Sequence, residues 1–179
     1  QAGNSGFRHF ILKWTSRLVY READHVVVTT NEIRRFVVST FGVDAKRITT
    51  IPNWIDTFRF TPTRNSNILK NRILFVGRLS KEKNVNLLIR AVEGSQIGLD
   101  IIGAGELLEE LRVLADQLKV DVNFFGRMPN DQMPTLYNRY SIYVICSHYE
   151  GNPKTLLEAM SCGKAVIGTD VPGIKDVIQ

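Results

Sequence analysis

The most chemically suggestive stretch of the 179-residue sequence is Glu150-Gly151-Asn152-Pro153-Lys154-Thr155-Leu156-Leu157-Glu158. Asn152 is a good helix N-cap, and Pro153 suits the first helical position, where its missing N–H is no loss. The spacing therefore predicts a helix opening at Pro153 with free backbone N–H groups around Lys154, Thr155 and Leu156. Those donors and the helix dipole favour a phosphate. Glu158 falls about 7–8 Å along the axis at ~1.5 Å per residue, roughly the span from a diphosphate to a ribose hydroxyl pair. A carboxylate accepts two hydroxyl donors well. Glu150, on the other side of the phosphate position, is placed to hold a hexose. A surface carboxylate and a helix-face ion pair would look the same in isolation. The Gly151-Asn152-Pro153 entry at a strand end favours function.

A second group is Gly77-Arg78-Leu79-Ser80-Lys81-Glu82-Lys83. Arg78 offers a fork for phosphate oxygens and Lys83 a point charge. Alone this is also what a solvated basic loop looks like; opposite a phosphate-seeking helix it reads as a binding loop. Gly103-Ala104-Gly105 resembles half of a dinucleotide fingerprint, but its third glycine is replaced by Leu108. No acidic ribose ligand follows the next strand, where Gly126-Arg127 stand. This weakens the reading of an NAD-dependent enzyme. Backbone groups at Arg127 and Met128 are candidates for reading a base edge, with an ordinary loop the equal alternative.

These residues need elements to position them. From residue 72 onward strands and helices alternate: strands Ile73–Val76, Leu99–Ile102, Val122–Phe125, Ile142–Cys146 and Ala165–Gly168, helices Asn84–Glu93, Glu106–Leu118, Asp131–Tyr140 and Pro153–Ser161, and a further helix beginning at Ile174. That rhythm, with apolar strands, implies a doubly wound α/β fold: a parallel sheet with helices on both faces. Ligands bind outside the carboxyl ends of such strands, where Gly77, Gly103, Gly105, Gly126 and Gly151 allow close backbone approach. Upstream, a helix at 7–22 carries an apolar stripe (Phe7, Phe10, Ile11, Trp14, Leu18) and a basic one (Lys13, Arg17, Arg21). A strand at 25–30, a helix capped by Asn31 and stopped by Gly42, and a strand at 48–51 follow. Residues 57–71, with one proline, three asparagines and few large apolar groups, read as a connector.

Composition is ordinary for a soluble protein: 44% apolar, 23% charged, net charge +5. The aromatics do not interleave with a basic stripe, which argues against nucleic acid. Cys146 and Cys162 lack metal-ligand spacing and read as reduced, partly buried thiols. No apolar run reaches membrane-spanning length, and the first residues do not resemble a secretory leader. A cytoplasmic location is expected, with the helix at 7–22 either packed on another domain or lying peripherally on the membrane face. The histidines His9, His25 and His148 are candidates by residue type alone.

Several motifs in order resemble the group 1 family of retaining glycosyltransferases. They are Val76 to Lys83, Ile101-Ile102-Gly103-Ala104-Gly105-Glu106, Phe124-Phe125-Gly126, the two glutamates Glu150 and Glu158 followed by Ala159 to Gly168, and Val171-Pro172-Gly173-Ile174. The resemblance implies a GT-B fold, two Rossmann-like domains facing a cleft. Residues 1–56 would then be the end of an acceptor-side domain and the interdomain segment, and 72–179 a nucleotide-sugar-binding domain cut short at its C-terminal end. It implies that Arg78 and Lys83 hold the donor diphosphate, Glu150 the sugar and Glu158 the ribose. Backbone groups from Asn152 to Leu156 would reach sugar and phosphate. The implied reaction moves a hexosyl group, with mannosyl one candidate, from a GDP-, UDP- or ADP-sugar to a glycan or glycolipid hydroxyl. It uses no metal, no further cofactor and no protein base. A nucleotide-binding module without activity is the alternative. Trp54 stands where the family commonly has glycine, and Asn152-Pro153 replace a commoner aromatic-Gly pair.

Overall fold

A computed structural model describes residues 14–63 and 67–178. The chain divides between Asn53 and Trp54 into two compact units. In the first, helix α1 is described at 14–22, and strand β1 (Val26–Val28) runs parallel to β2 (Ile48–Thr50). Helix α2 (Asn31–Phe41) connects them. Its N-cap is Thr30, not Asn31: the Thr30 hydroxyl accepts from the Ile33 N–H at 3.2 Å. Gly42 (φ +70°) ends it, as glycine readily adopts the left-handed region. Val26, Val28, Val37, Val43 and Ile48 form the small core. Of the apolar stripe expected on the first helix, Phe7, Phe10 and Ile11 lie outside the described residues, as do His9 and Lys13. Trp14 and Leu18 are exposed.

The second unit is built on five parallel strands: β3 (Arg72–Val76), β4 (Gly98–Ile102), β5 (Val122–Gly126), β6 (Ile142–Ile145) and β7 (Ala165–Gly168). Their order across the sheet is β5-β4-β3-β6-β7. The chain winds outward from β3 to β5, then returns to lay β6 against the other side of β3. Strand alternation divides the core in two. Ile73, Phe75, Ile101 and Val144 face helices α3 (Val85–Ala91) and α4 (Leu108–Leu118). Leu74, Tyr143 and Ile145 face α5 (Met133–Tyr137) and α6 (Lys154–Ser161). Helices thus cover both faces, as the sequence rhythm requires. Val85, Leu88, Ile89 and Val92 turn inward as expected.

The structure corrects several expectations. Helix α5 covers only five residues rather than 131–140. Residues 172–177 form turns rather than the start of a helix. The strands are not apolar throughout: Asp100, 1% exposed, lies in the middle of β4. It is tolerated because it is fully hydrogen-bonded. Arg72 Nε (2.9 Å) and Asn123 Nδ2 (2.8 Å) donate to Asp100 Oδ1, and the Tyr140 hydroxyl donates to Oδ2 at 2.6 Å. Burial alone would raise its pKa, but these three donors outweigh burial and hold the carboxyl below its ordinary range. Among the described residues no helix is long and apolar enough to cross a membrane.

Candidate functional site

The sheet order places a topological switch point between β3 and β6, where the connections leave in opposite directions and open a crevice at the strands' carboxyl ends. The loops after β3 and β6 meet there. After β3, Leu79 is fully buried and anchors the loop, and a single 3-10 turn spans Lys81–Lys83. After β6, the His148 N–H donates to the Glu82 carbonyl at 2.8 Å and ties the two loops together. Lys83 Nζ reaches Glu150 Oε1 in a largely buried ion pair, with side chains 25% and 10% exposed. The Ser147 hydroxyl, itself buried, donates to the same Glu150 oxygen at 2.7 Å. Arg78 is exposed at the rim. Together with Pro153, Lys154 and Thr155 these residues line a cleft of about 250 Å³.

Helix α6 begins one residue later than expected. Pro153 is extended (φ −74°, ψ 114°) and serves as N-cap, so Asn152 lies before the cap and Lys154 is the first helical residue. The Pro153 carbonyl accepts from both Leu156 N–H (3.2 Å) and Leu157 N–H (3.3 Å). The Leu156 N–H is therefore not a free donor, and its side chain is core. The N–H groups of Lys154 and Thr155 precede any carbonyl four residues back within the helix and point out of its end. The Tyr143 hydroxyl donates to Thr155 Oγ1 at 2.8 Å and fixes that side chain beside them.

Glu158 lies one helical turn further on. Tyr137 donates its hydroxyl to Glu158 Oε2 at 3.0 Å. Burial pushes the Glu158 carboxyl above its ordinary value, against that hydrogen bond and the charges of Lys154 and Arg59. Tyr137 is itself buried, which raises its pKa and keeps it a donor. A second cleft of about 290 Å³ opens here between Glu158, Asn130, Arg59 and Trp54. Lys154 borders both clefts. One continuous rim thus offers a cationic loop, free N–H groups at a helix end, and a carboxylate at either side. That set can hold a polyanion flanked by hydroxyl-bearing groups.

Residues 59–179 match the family described as glycosyl transferases group 1, and residues 1–59 match glycosyltransferase family 4. The chain belongs to the group 1 glycosyltransferases. A Campylobacter jejuni relative, N-acetylgalactosamine-N,N'-diacetylbacillosaminyl-diphospho-undecaprenol 4-alpha-N-acetylgalactosaminyltransferase, is 30% identical, the match covering 93% of this chain and 47% of the relative. The UDP-Gal:alpha-D-GlcNAc-diphosphoundecaprenol alpha-1,3-galactosyltransferase of Escherichia coli is 27% identical over 91% of this chain and 47% of its own. Among solved structures, Anabaena Alr3699/HepE in complex with UDP and glucose matches with a TM-score of 0.83 at 21% identity, over 94% of this chain and 50% of that one. The pneumococcal O-GlcNAc transferase GtfA in complex with UDP and GlcNAc matches with a TM-score of 0.73 at 27% identity, over 84% and 31%. The fold is that of the GT-B glycosyltransferases. This chain spans about half the length of the curated relatives it matches.

In this glycosyltransferase chain the structure brings together Arg78, Lys83, Glu150, Pro153, Lys154 and Thr155 around one cleft. Gly103 and Gly105 have another explanation. A Cβ on Gly103 (φ +145°) would fall 1.8 Å from the Gly77 carbonyl oxygen, and one on Gly105 would fall 2.1 Å from that of Leu79. These glycines let the loop after β4 lie backbone-to-backbone on the loop that carries Arg78. Gly151 is approached in the same way: a Cβ on Gly173 would meet its carbonyl at 2.4 Å. Arg127 is exposed, and Met128 packs partly against the core. Sequence reasoning missed Ser147, Tyr137, Asn130, Arg59 and Trp54. Ser147, three residues before Glu150, carried a local signal. The others arrive from distant segments and carried none.

Proposed function

We propose that this chain supplies the donor-binding half of a retaining hexosyltransferase that uses a nucleoside diphosphate sugar. The observation that supports this best is the Lys83–Glu150–Ser147 cluster beside the open end of α6, with Glu158 a turn away. Arg78, Lys83 and the N–H groups of Lys154 and Thr155 receive the diphosphate. Glu150 accepts sugar hydroxyls and Glu158 the ribose pair.

In the reaction the bond from the anomeric carbon to the diphosphate oxygen breaks, and a bond to the acceptor oxygen forms on the same face. The acceptor proton passes to a donor phosphate oxygen. Charge grows on the leaving diphosphate, where fixed positive groups act without reorganising. Arg78 and Lys83 take the place a metal fills elsewhere, so donor binding is expected to survive a chelator. The acceptor is a glycan or glycolipid, in keeping with the names of the relatives. The UDP complexes among the structural neighbours favour uridine as the base, with a mannosyl donor on another base as the alternative.

A thermal-shift panel of UDP-, GDP- and ADP-hexoses tests this reading. One class is expected to raise the melting temperature, through the mass-action stabilisation that any native-state ligand gives. No shift with any of them would end it. The exposed Trp14 and Leu18 beside Arg17 and Arg21 on α1 support peripheral contact with anionic lipid. Salt-sensitive sedimentation with liposomes is the expected result.

A further inference from the structure

Trp54 is 74% exposed, an unusual setting for an indole. It does not belong to a loose linker. The Asp56 carboxylate accepts from the N–H groups of Phe58 (3.0 Å) and Arg59 (3.2 Å), closing a tight turn. Four residues past Asp56, Phe60 is 3% exposed and packs edge-on against Tyr137 at 6.1 Å. The Ser161 hydroxyl, at the end of α6, donates to the Phe60 carbonyl at 2.5 Å. The segment is therefore pinned to α6 and presents Trp54 at the Glu158 cleft. There the Lys154 ammonium lies 5.8 Å from the indole centroid, in cation–π range. The amide of Asn130 lines the same cleft.

We propose that Trp54 is the stacking platform for the nucleobase of the donor. The inference rests on the donor-site reading, which puts the ribose on Glu158 and the diphosphate on the far side of Lys154. A base attached to that ribose then occupies the remaining volume of the cleft. An aromatic wall suits any base, because every base has a π face. The Asn130 amide, with both a donor and an acceptor, supplies the edge contact that discriminates among bases. The resembling family commonly carries glycine at this position, so the platform is a property of this chain. Lys154 then serves both clefts, its ammonium orienting the indole in one and facing the phosphates in the other.

The test measures UDP and pyrophosphate binding to the 179-residue chain by calorimetry. Trp54→Ala should weaken UDP about tenfold, the usual loss for removing one stacking partner, and leave pyrophosphate unchanged. Trp54→Phe should retain most of the UDP affinity, which separates stacking from a folding defect. The sequence has only two tryptophans. In a Trp14→Phe background, emission from Trp54 should therefore fall on adding UDP and not on adding pyrophosphate. UDP affinity unchanged in Trp54→Ala overturns the inference, as does an equal loss for UDP and pyrophosphate or unchanged Trp54 emission. A wild-type chain that binds neither UDP, GDP nor ADP overturns the donor-site reading itself, and the stacking role with it.

Discussion

Asp100 and Glu158 are both carboxylates drawn out of water in the same unit, and their ionisation is displaced in opposite directions. Asp100 receives hydrogen bonds from Arg72, Asn123 and Tyr140 on both oxygens, and its pKa is lowered despite burial. Glu158 has Tyr137 as its hydrogen-bond donor among the described residues, and burial raises its pKa. The first carboxylate is saturated, so nothing is left for a ligand to offer it. The second is withdrawn from water and short of donors beside an open cleft, which is the condition that a pair of ribose hydroxyls would relieve. Glu150 is only half satisfied: Lys83 and Ser147 both reach one oxygen, and under the proposed donor role the other would accept sugar hydroxyls. Completeness of satisfaction, more than burial, separates the carboxylate that only builds the sheet from those the proposed donor site would use.

The largest expected effect lies at Asp100. Asp100→Ala leaves the Tyr140 hydroxyl and the Asn123 amide without their acceptor and takes from Arg72 its buried partner, with only the exposed Asp121 carboxylate and the Leu99 carbonyl remaining. It should cost ~3–5 kcal/mol of stability. Denaturant melts would show it as a lower midpoint, with UDP affinity of the folded protein unchanged. A variant that melts like the parent would erase the contrast. Next comes Glu158→Ala, which should weaken UDP by about tenfold or more, as expected for a lost hydrogen bond to a charged group. Its stability should change little, because the removal of a poorly solvated carboxylate is offset by leaving the buried Tyr137 hydroxyl without its acceptor. Calorimetry showing no loss of UDP affinity would remove the ribose role. Glu150→Ala should matter less for the nucleotide. UDP binding should persist, while the advantage of a UDP-hexose over UDP disappears.

The mildest test is pH. Asp100 ionises more readily folded than unfolded, so its contribution is complete above the ordinary 3.8 and is lost only as pH falls through a lower folded value. Glu158 holds its proton more tightly folded than unfolded. Its contribution to stability is therefore greatest at low pH, and it declines as pH rises from the ordinary 4.5 through the raised folded value. Acidification should therefore neutralise Glu158 and weaken UDP while the Asp100 network still holds the fold. Coincident loss of affinity and structure in a pH series would contradict this order.

Much of this architecture is legible in the chain. Apolar strands alternating with amphipathic helices dictate a covered parallel sheet; Glu150 and Lys83 stand in loops at strand and helix ends and Glu158 one turn inside α6, where sequence spacing is informative. Local detail is less legible. Asn152 and Asn31 have good capping side chains, yet Pro153 and Thr30 hold the cap positions, because the path of the chain, not propensity alone, decides where a helix turns in. Asp100 gives no sign of its role within an apolar run, since its donors come from other strands and from beyond α5. Trp54 and Arg59 read as parts of an interdomain segment and a connector, because nothing local announces that Phe60 will be buried against Tyr137.

The strand order has a consequence for how the molecule comes into being. β3 can pair with β4 soon after both are made, but its other edge waits until Tyr143 arrives opposite Leu74. Until then a central, apolar strand presents an open edge of the kind that invites pairing with another chain. Such long-range closure is slow. The crevice between β3 and β6 is thus expected to form late in folding, which pulsed hydrogen exchange at the β6 amides would check. A chain interrupted before β6 would own Arg78 and Lys83 without any place to use them, and would be more prone to aggregate than to bind.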